Sequence, residues 1–214
     1  EPVELIEPYG DVPPLQDFQR DLKDKIRHVL RDHGGRAIGS LPTGAGKTRT
    51  AVEALVEWLL DGGRAPGTIV IWIAHTGELC EQACECIRQV WTDSDAGEPL
   101  RLLRRFGNLR PSVENLTDAI LPTVVVTTAA ALDGVAGSIV RETQLRDALS
   151  KLEAAIGEEK ASRILRALGS SRPEPQGSAS DSHSFFVEVG KSLGAVVIDE
   201  AHRSAAKGYR AILE

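Results

Sequence analysis

The feature that most constrains this chain is an eight-residue stretch, Leu41-Pro42-Thr43-Gly44-Ala45-Gly46-Lys47-Thr48. A short apolar-biased run at 36–40 precedes it and is expected as a buried strand; the run at 49–60 behind it has helical periodicity. Strand, glycine loop, Lys-Thr and helix, in that order, is what a phosphate-cradling loop requires. Gly44 and Gly46 let the backbone turn tightly enough for successive amide N–H groups to face one anion. The positive end of the following helix dipole adds to the attraction. In such a loop Lys47 reaches the β- and γ-phosphates and the Thr48 hydroxyl ligates Mg²⁺. Thr43, Gly44, Ala45, Gly46, Lys47 and Thr48 are therefore the expected nucleotide-binding residues. The competing reading, a Gly-rich turn with an incidental lysine, is disfavoured by the elements on either side.

Composition narrows the setting. The chain of 214 residues suits one large domain, or a domain with an insertion, and its 42% hydrophobic content is enough for a real core. No apolar run approaches a membrane span, and Glu1-Pro2-Val3-Glu4 lacks the basic and apolar regions of a signal peptide, so a cytoplasmic setting is expected. The net charge of −6 argues against a basic DNA-wrapping module. Any nucleic-acid contact must then come from a local groove, through hydroxyls, backbone amides and a few arginines. Cys80, Cys84 and Cys86 have no fourth ligand at a zinc-like spacing and are expected as packed thiols.

Taken in order, 1–14 reads as a proline-rich extended lead-in. Leu15, Phe18, Leu22, Ile26, Val29 and Leu30 then recur at spacings of three and four, which predicts a helix. The run 68–75 is nearly all apolar and β-branched, as in a central parallel strand covered on both faces. A helix is expected at 77–91, a basic strand at 100–106, and buried strands at 123–128 and 194–199. Strands alternating with helices imply a parallel sheet with helices on both faces. The interval 133–193 is too long for an ordinary crossover and reads as a helical insertion, with 169–183 expected to be disordered. Arg101, Arg104, Arg105 and Arg110 are expected as a solvated face, and Trp58, Trp72 and Trp91 as packing residues.

Val196-Val197-Ile198-Asp199-Glu200-Ala201-His202 places two carboxylates at the carboxyl end of a buried strand, where open α/β sheets put their ligands. Asp199 is positioned to hold the Mg²⁺ shell, and Glu200 to orient and deprotonate an attacking water.

These residues carry a family resemblance. Asp199-Glu200-Ala201-His202 resembles motif II of superfamily 2 helicases and translocases of the DEAH type. Leu41 to Thr48 looks like their motif I, with Leu at the first position where Ala is commoner. Ala74-His75-Thr76-Gly77-Glu78-Leu79-Cys80-Glu81-Gln82 is similar to motif Ia, which touches the nucleic-acid backbone. Val125-Val126-Thr127-Thr128-Ala129-Ala130-Ala131-Leu132 looks like a later motif, and Leu15-Gln16-Asp17-Phe18-Gln19 like the leading glutamine motif. The string Asp199 to Arg210 is reminiscent of the branch containing type I restriction translocases and related bacterial DNA helicases.

The resemblance implies a RecA-like P-loop NTPase domain over 15–214, with ATP and Mg²⁺ as cofactors and Gln19 against adenine. Lys47, Asp199 and Glu200 would be catalytic, Thr48 and Asp199 the metal ligands, and Thr76 and Thr128 contacts to a nucleic-acid backbone, DNA in preference to RNA. It further implies a second RecA-like domain, carrying an arginine finger, outside residues 1–214; without it the chain should bind ATP weakly and turn it over little. The segment 133–193 carries no family motif; it reads as a spacer slightly in preference to an insertion that contacts a protein partner or DNA. Three other classes compete: a nucleotide-gated interaction module without turnover, an RNA helicase, and an unrelated P-loop kinase or transferase.

Overall fold

The computed structural model describes residues 2–7, 13–32, 35–61, 65–116, 120–132 and 177–199. Five strands form one sheet in the order β1-β3-β4-β2-β5. They are β1 (Val3–Ile6), β2 (Ile69–Ala74), β3 (Leu100–Arg105), β4 (Thr123–Thr128) and β5 (Leu193–Ile198). β3, β4, β2 and β5 run parallel, and only β1 is antiparallel, pairing with β3 at the edge. The lead-in is thus more than a tether, because four of its residues close one side of the sheet.

The side-chain alternation of the strands sorts the core into two layers. Val70, Trp72, Leu102, Val124 and Val126 face α2 (Lys47–Leu60) and α3 (Gly77–Thr92). Ile69, Ile71, Ile73, Leu103 and Val125 face the other way, against α4 (Gly177–Lys191) and a 3-10 turn at Val113–Leu116. All six residues of β2 are buried, as its unbroken apolar run requires. Helices on both faces of a mostly parallel sheet is the expected fold class.

Helix α1 (Asp17–Arg31) lies outside this sandwich, packed on α2. Its apolar stripe is only half-buried, and Phe18 is 44% exposed. Ion pairs complete its attachment: Lys23 to Glu57, Arg27 to Glu57 at 2.6 Å and to Asp61 at 3.2 Å, and Arg31 to Asp61. Arg31 and Arg27 together hold the Asp61 carboxyl below its ordinary value, against the effect of burial.

Three expectations need correction. Residues 36–40 form no strand and do not join the sheet, and Ile38 is 90% exposed. Ala37 and Ile38 are too few to anchor a strand by burial, and Gly39 rests instead against α1, where a Cβ would lie 3.5 Å from Leu22 Cδ1. Helix α4 starts at Gly177, earlier than its serine-rich composition predicts. The last proline is Pro175, and farther along Phe185 and Val189 bind the helix to the sheet. The arginines of β3 are not a solvated face. Arg101 and Arg105 are buried, while Arg104 meets Glu81 at 3.5 Å and Glu4 at 3.7 Å. Arg110 alone is exposed, donating to the carbonyls of Gly107 and Leu109. The remainder of the expected insertion, 133–176, lies outside the described residues.

Candidate functional site

The phosphate-loop sequence folds as its glycines dictate. Gly44 and Gly46 adopt φ of 79° and 75°, left-handed values that L side chains resist. Between them the Ala45 amide donates to the Pro42 carbonyl at 3.1 Å, closing a turn. Gly46 is the N-cap of α2, and its carbonyl accepts from both the Thr50 amide and the Thr50 hydroxyl, each at 2.9 Å. Lys47 and Thr48 follow as the first residues of α2, both half-buried.

The acidic residue arrives from far along the chain. Asp199 follows the last residue of β5, and its amide donates to Ile73 of β2 at 2.9 Å, fixing it at the carboxyl rim of the sheet. There the Thr48 hydroxyl donates to Asp199 Oδ2 at 3.1 Å, across 151 positions of sequence. A hydroxyl and a carboxylate oxygen converging beside a helix N-terminus are the hard oxygen donors that suit Mg²⁺. The donor set therefore fits a triphosphate-bound magnesium ion.

Gln19 sits in the first turn of α1, close to the loop. Its Oε1 accepts from the Gln16 amide at 2.8 Å, and its Nε2 donates to the Ala45 carbonyl at 3.0 Å. The second of these bonds has no sequence signature, although glutamine at the third helical position is one for the first. Thr76 caps α3, accepting from the Leu79 amide at 3.3 Å. Thr128 caps the turn at 129–132, accepting from the Ala131 amide at 3.3 Å. Each cap uses the acceptor side of its hydroxyl and leaves the O–H able to donate. The parallel pairing of Ala74 with Thr128 and of Ile73 with Ile198 sets Thr76, Thr128 and Asp199 on one rim of the sheet. Glu200, with Ala201 and His202, lies outside the described residues.

The cysteines serve the core. Cys80 and Cys84 are buried and Cys86 is half-buried. Burial is the main reason that each thiol is pushed up to about 12, and Cys80 donates to the Thr127 carbonyl at 3.4 Å. Trp72 and Trp91 are fully buried, as their spacing predicted.

A glycine loop, a Lys-Thr helix start and an acidic strand end, gathered on the carboxyl rim of a mostly parallel sheet, define a RecA-like ATP-binding motor domain of the superfamily 2 helicase type. The chain belongs to the family described as type III restriction enzyme, res subunit, which matches residues 13–214. Comparison with curated proteins and with solved structures gave no match. Family membership carries helicase-like ATPase activity in general, with Mg²⁺-ATP and nucleic acid as the usual ligands. Among the described residues no helix is long and apolar enough to cross a membrane.

Proposed function

We propose that this domain is the first motor domain of a DNA translocase or helicase, and that it binds Mg²⁺-ATP between the phosphate loop and Asp199. The observation that carries the reading is the 3.1 Å approach of Thr48 Oγ1 to Asp199 Oδ2. In this reading the loop amides and Lys47 hold the triphosphate, Thr48 and Asp199 hold the ion, and Gln19 reads adenine. The ion, when bound, neutralises charge that builds on the phosphate oxygens. Glu200 takes the proton of the attacking water. Thr76 and Thr128 donate to a nucleic-acid backbone on the same rim, which suits an acidic domain that must grip through hydroxyls and amides. The word restriction in the family description favours DNA over RNA.

The proposed unit spans 15–214, with 133–193 as an insertion that is either a spacer or a partner surface. It works in the cytoplasm and pairs with a second RecA-like domain. The test uses the parent protein. Glu200→Gln should abolish DNA-stimulated hydrolysis while ATP still binds, and Asp199→Asn should remove the Mg²⁺ dependence of that binding. Full hydrolysis by both variants would refute the assignment. Hydrolysis stimulated by RNA and indifferent to DNA would move the substrate to RNA.

A further inference from the structure

We infer that Gln19 is a positioning residue for the phosphate loop: by holding the Ala45 carbonyl outward, it aims the Gly46 amide at the phosphates. The inference rests on the nucleotide-binding reading above and assigns Gln19 a task separate from recognising the base.

The orientation of the Gln19 amide is fixed by its two partners. The Gln16 N–H can only donate and the Ala45 carbonyl can only accept, so one placement of oxygen and nitrogen satisfies both bonds. The chain has no cis peptide bond among the described residues, so the peptide joining Ala45 and Gly46 is trans. In a trans peptide the C=O and the N–H point to opposite sides. With the carbonyl tied to α1, the Gly46 N–H faces away from α1. Without the tie, this peptide plane can rotate and bring a carbonyl dipole to bear on an incoming anion.

Gly46 shows that the approach is close. A Cβ there would lie 2.5 Å from Gln19 Nε2, so a side chain at position 46 and the Gln19–Ala45 bond exclude one another. Ion pairs from Lys23, Arg27 and Arg31 to Glu57 and Asp61 fasten α1 along α2 redundantly, so that the loss of one leaves the helix in place. α2 begins at Lys47, one residue after the peptide being steered. Among the described residues the amide is also not exhausted: one N–H and one lone pair are left. That pair matches the N7 acceptor and N6 donor edge of adenine. Gln19 can therefore hold the loop and the base together.

The test separates phosphate from base. Binding of Mg²⁺-ATP and of Mg²⁺-tripolyphosphate, which has no base, is measured by calorimetry for the wild-type chain, Gln19→Ala, Gln19→Glu and Lys23→Ala. Gln19→Ala should weaken tripolyphosphate roughly three- to tenfold, the worth of one hydrogen bond. Gln19→Glu should do no better, because a carboxylate would face the Ala45 carbonyl. Lys23→Ala loosens the same helix one turn away and should shift tripolyphosphate affinity less than twofold. In the ligand-free chain, hydrogen exchange of the peptide covering 42–48 should be several-fold faster in Gln19→Ala. Unchanged tripolyphosphate affinity alongside weakened ATP binding would overturn the inference and leave the nucleotide reading standing. So would unchanged exchange, or a Lys23→Ala loss as large as that of Gln19→Ala. Failure of the wild-type chain to bind either ligand would instead overturn the nucleotide reading itself.

Discussion

The joint between α4 and the sheet offers the sharpest stability test. Phe185 is fully buried in the layer opposite α2 and α3. The guanidinium of Arg105, itself 4% exposed, stands 4.5 Å from the centroid of its ring and 5.2 Å from that of Phe186. The two phenylalanines meet edge to face at 5.4 Å, and Arg105 Nη1 donates to the Pro111 carbonyl at 3.1 Å. Phe185→Ala removes a core aromatic, at a cost of about 3–5 kcal/mol. Phe185→Leu keeps most of the apolar volume, which alone costs less than about 1.5 kcal/mol. Both lose the ring face under a desolvated cation, which adds about 2 kcal/mol. The leucine variant should therefore lose about 2–3.5 kcal/mol and the alanine variant about 5–7 kcal/mol, which reaches into the whole stability of a domain, about 5–15 kcal/mol. Urea unfolding followed by tryptophan fluorescence measures both. A cycle with Arg105→Met isolates the cation–ring interaction, because the partners are in contact and must couple. A coupling below about 0.5 kcal/mol would refute the claim that the ring stabilises the buried charge.

Gly46→Ala forces a side chain into φ of 75° and onto Gln19 Nε2, so Mg²⁺-ATP should bind roughly 30-fold more weakly, from about 1 kcal/mol of strain and about 1 kcal/mol of lost hydrogen bond. In a Gln19→Ala background the same change should cost only the strain, and calorimetry showing simple additivity would contradict the clash. The Glu4 carboxyl is held below its ordinary value of 4.5 chiefly by hydrogen bonds from Arg88, with burial opposing. Arg88 Nε and Nη2 donate to its two oxygens at 2.7 and 2.8 Å. A depressed folded-state value means that the stabilisation is complete above pH 4.5 and is lost as the pH falls through the folded value. Glu4→Gln should thus lower the melting temperature at pH 7, by a deficit that shrinks as the pH falls below 4.5; a deficit that does not change with pH would exclude the linkage.

What the sequence disclosed follows from where physics is local. The all-apolar run of β2, the period of α2 and α3, and the glycine loop each state their structure within about ten residues, and each formed within a residue or two of its expected bounds. The meeting of Thr48 with Asp199 was legible too, because loop and acidic strand end both belong on one rim of a parallel sheet. Long-range polar chemistry was not legible. Four arginines near β3 look like a surface patch in one dimension, yet Arg105 is enclosed by Phe185 and Phe186 from a helix eighty residues away. The pairing of Lys23, Arg27 and Arg31 with Glu57 and Asp61 depends on how two helices lie across each other, which no single-helix pattern encodes. The segment 36–40 shows the reverse limit: motif context asked for a strand, and two apolar residues could not sustain one.

Strand β5 gives the site an uneven foundation. Among the described residues it is hydrogen-bonded to β2 along one side only, and Leu193 and Val196 remain 40% and 42% exposed. Among the described residues β2, zipped on both flanks, is the keel, whereas β5 is a plank fixed along a single seam. A plank so fixed lifts at a smaller free energy than the hull beneath it. When it lifts, Asp199 departs while Thr48 stays behind with α2. Fraying there should cost the carboxylate half of the pocket before the core melts, and the hydroxyl–carboxylate bond is one rivet that opposes it.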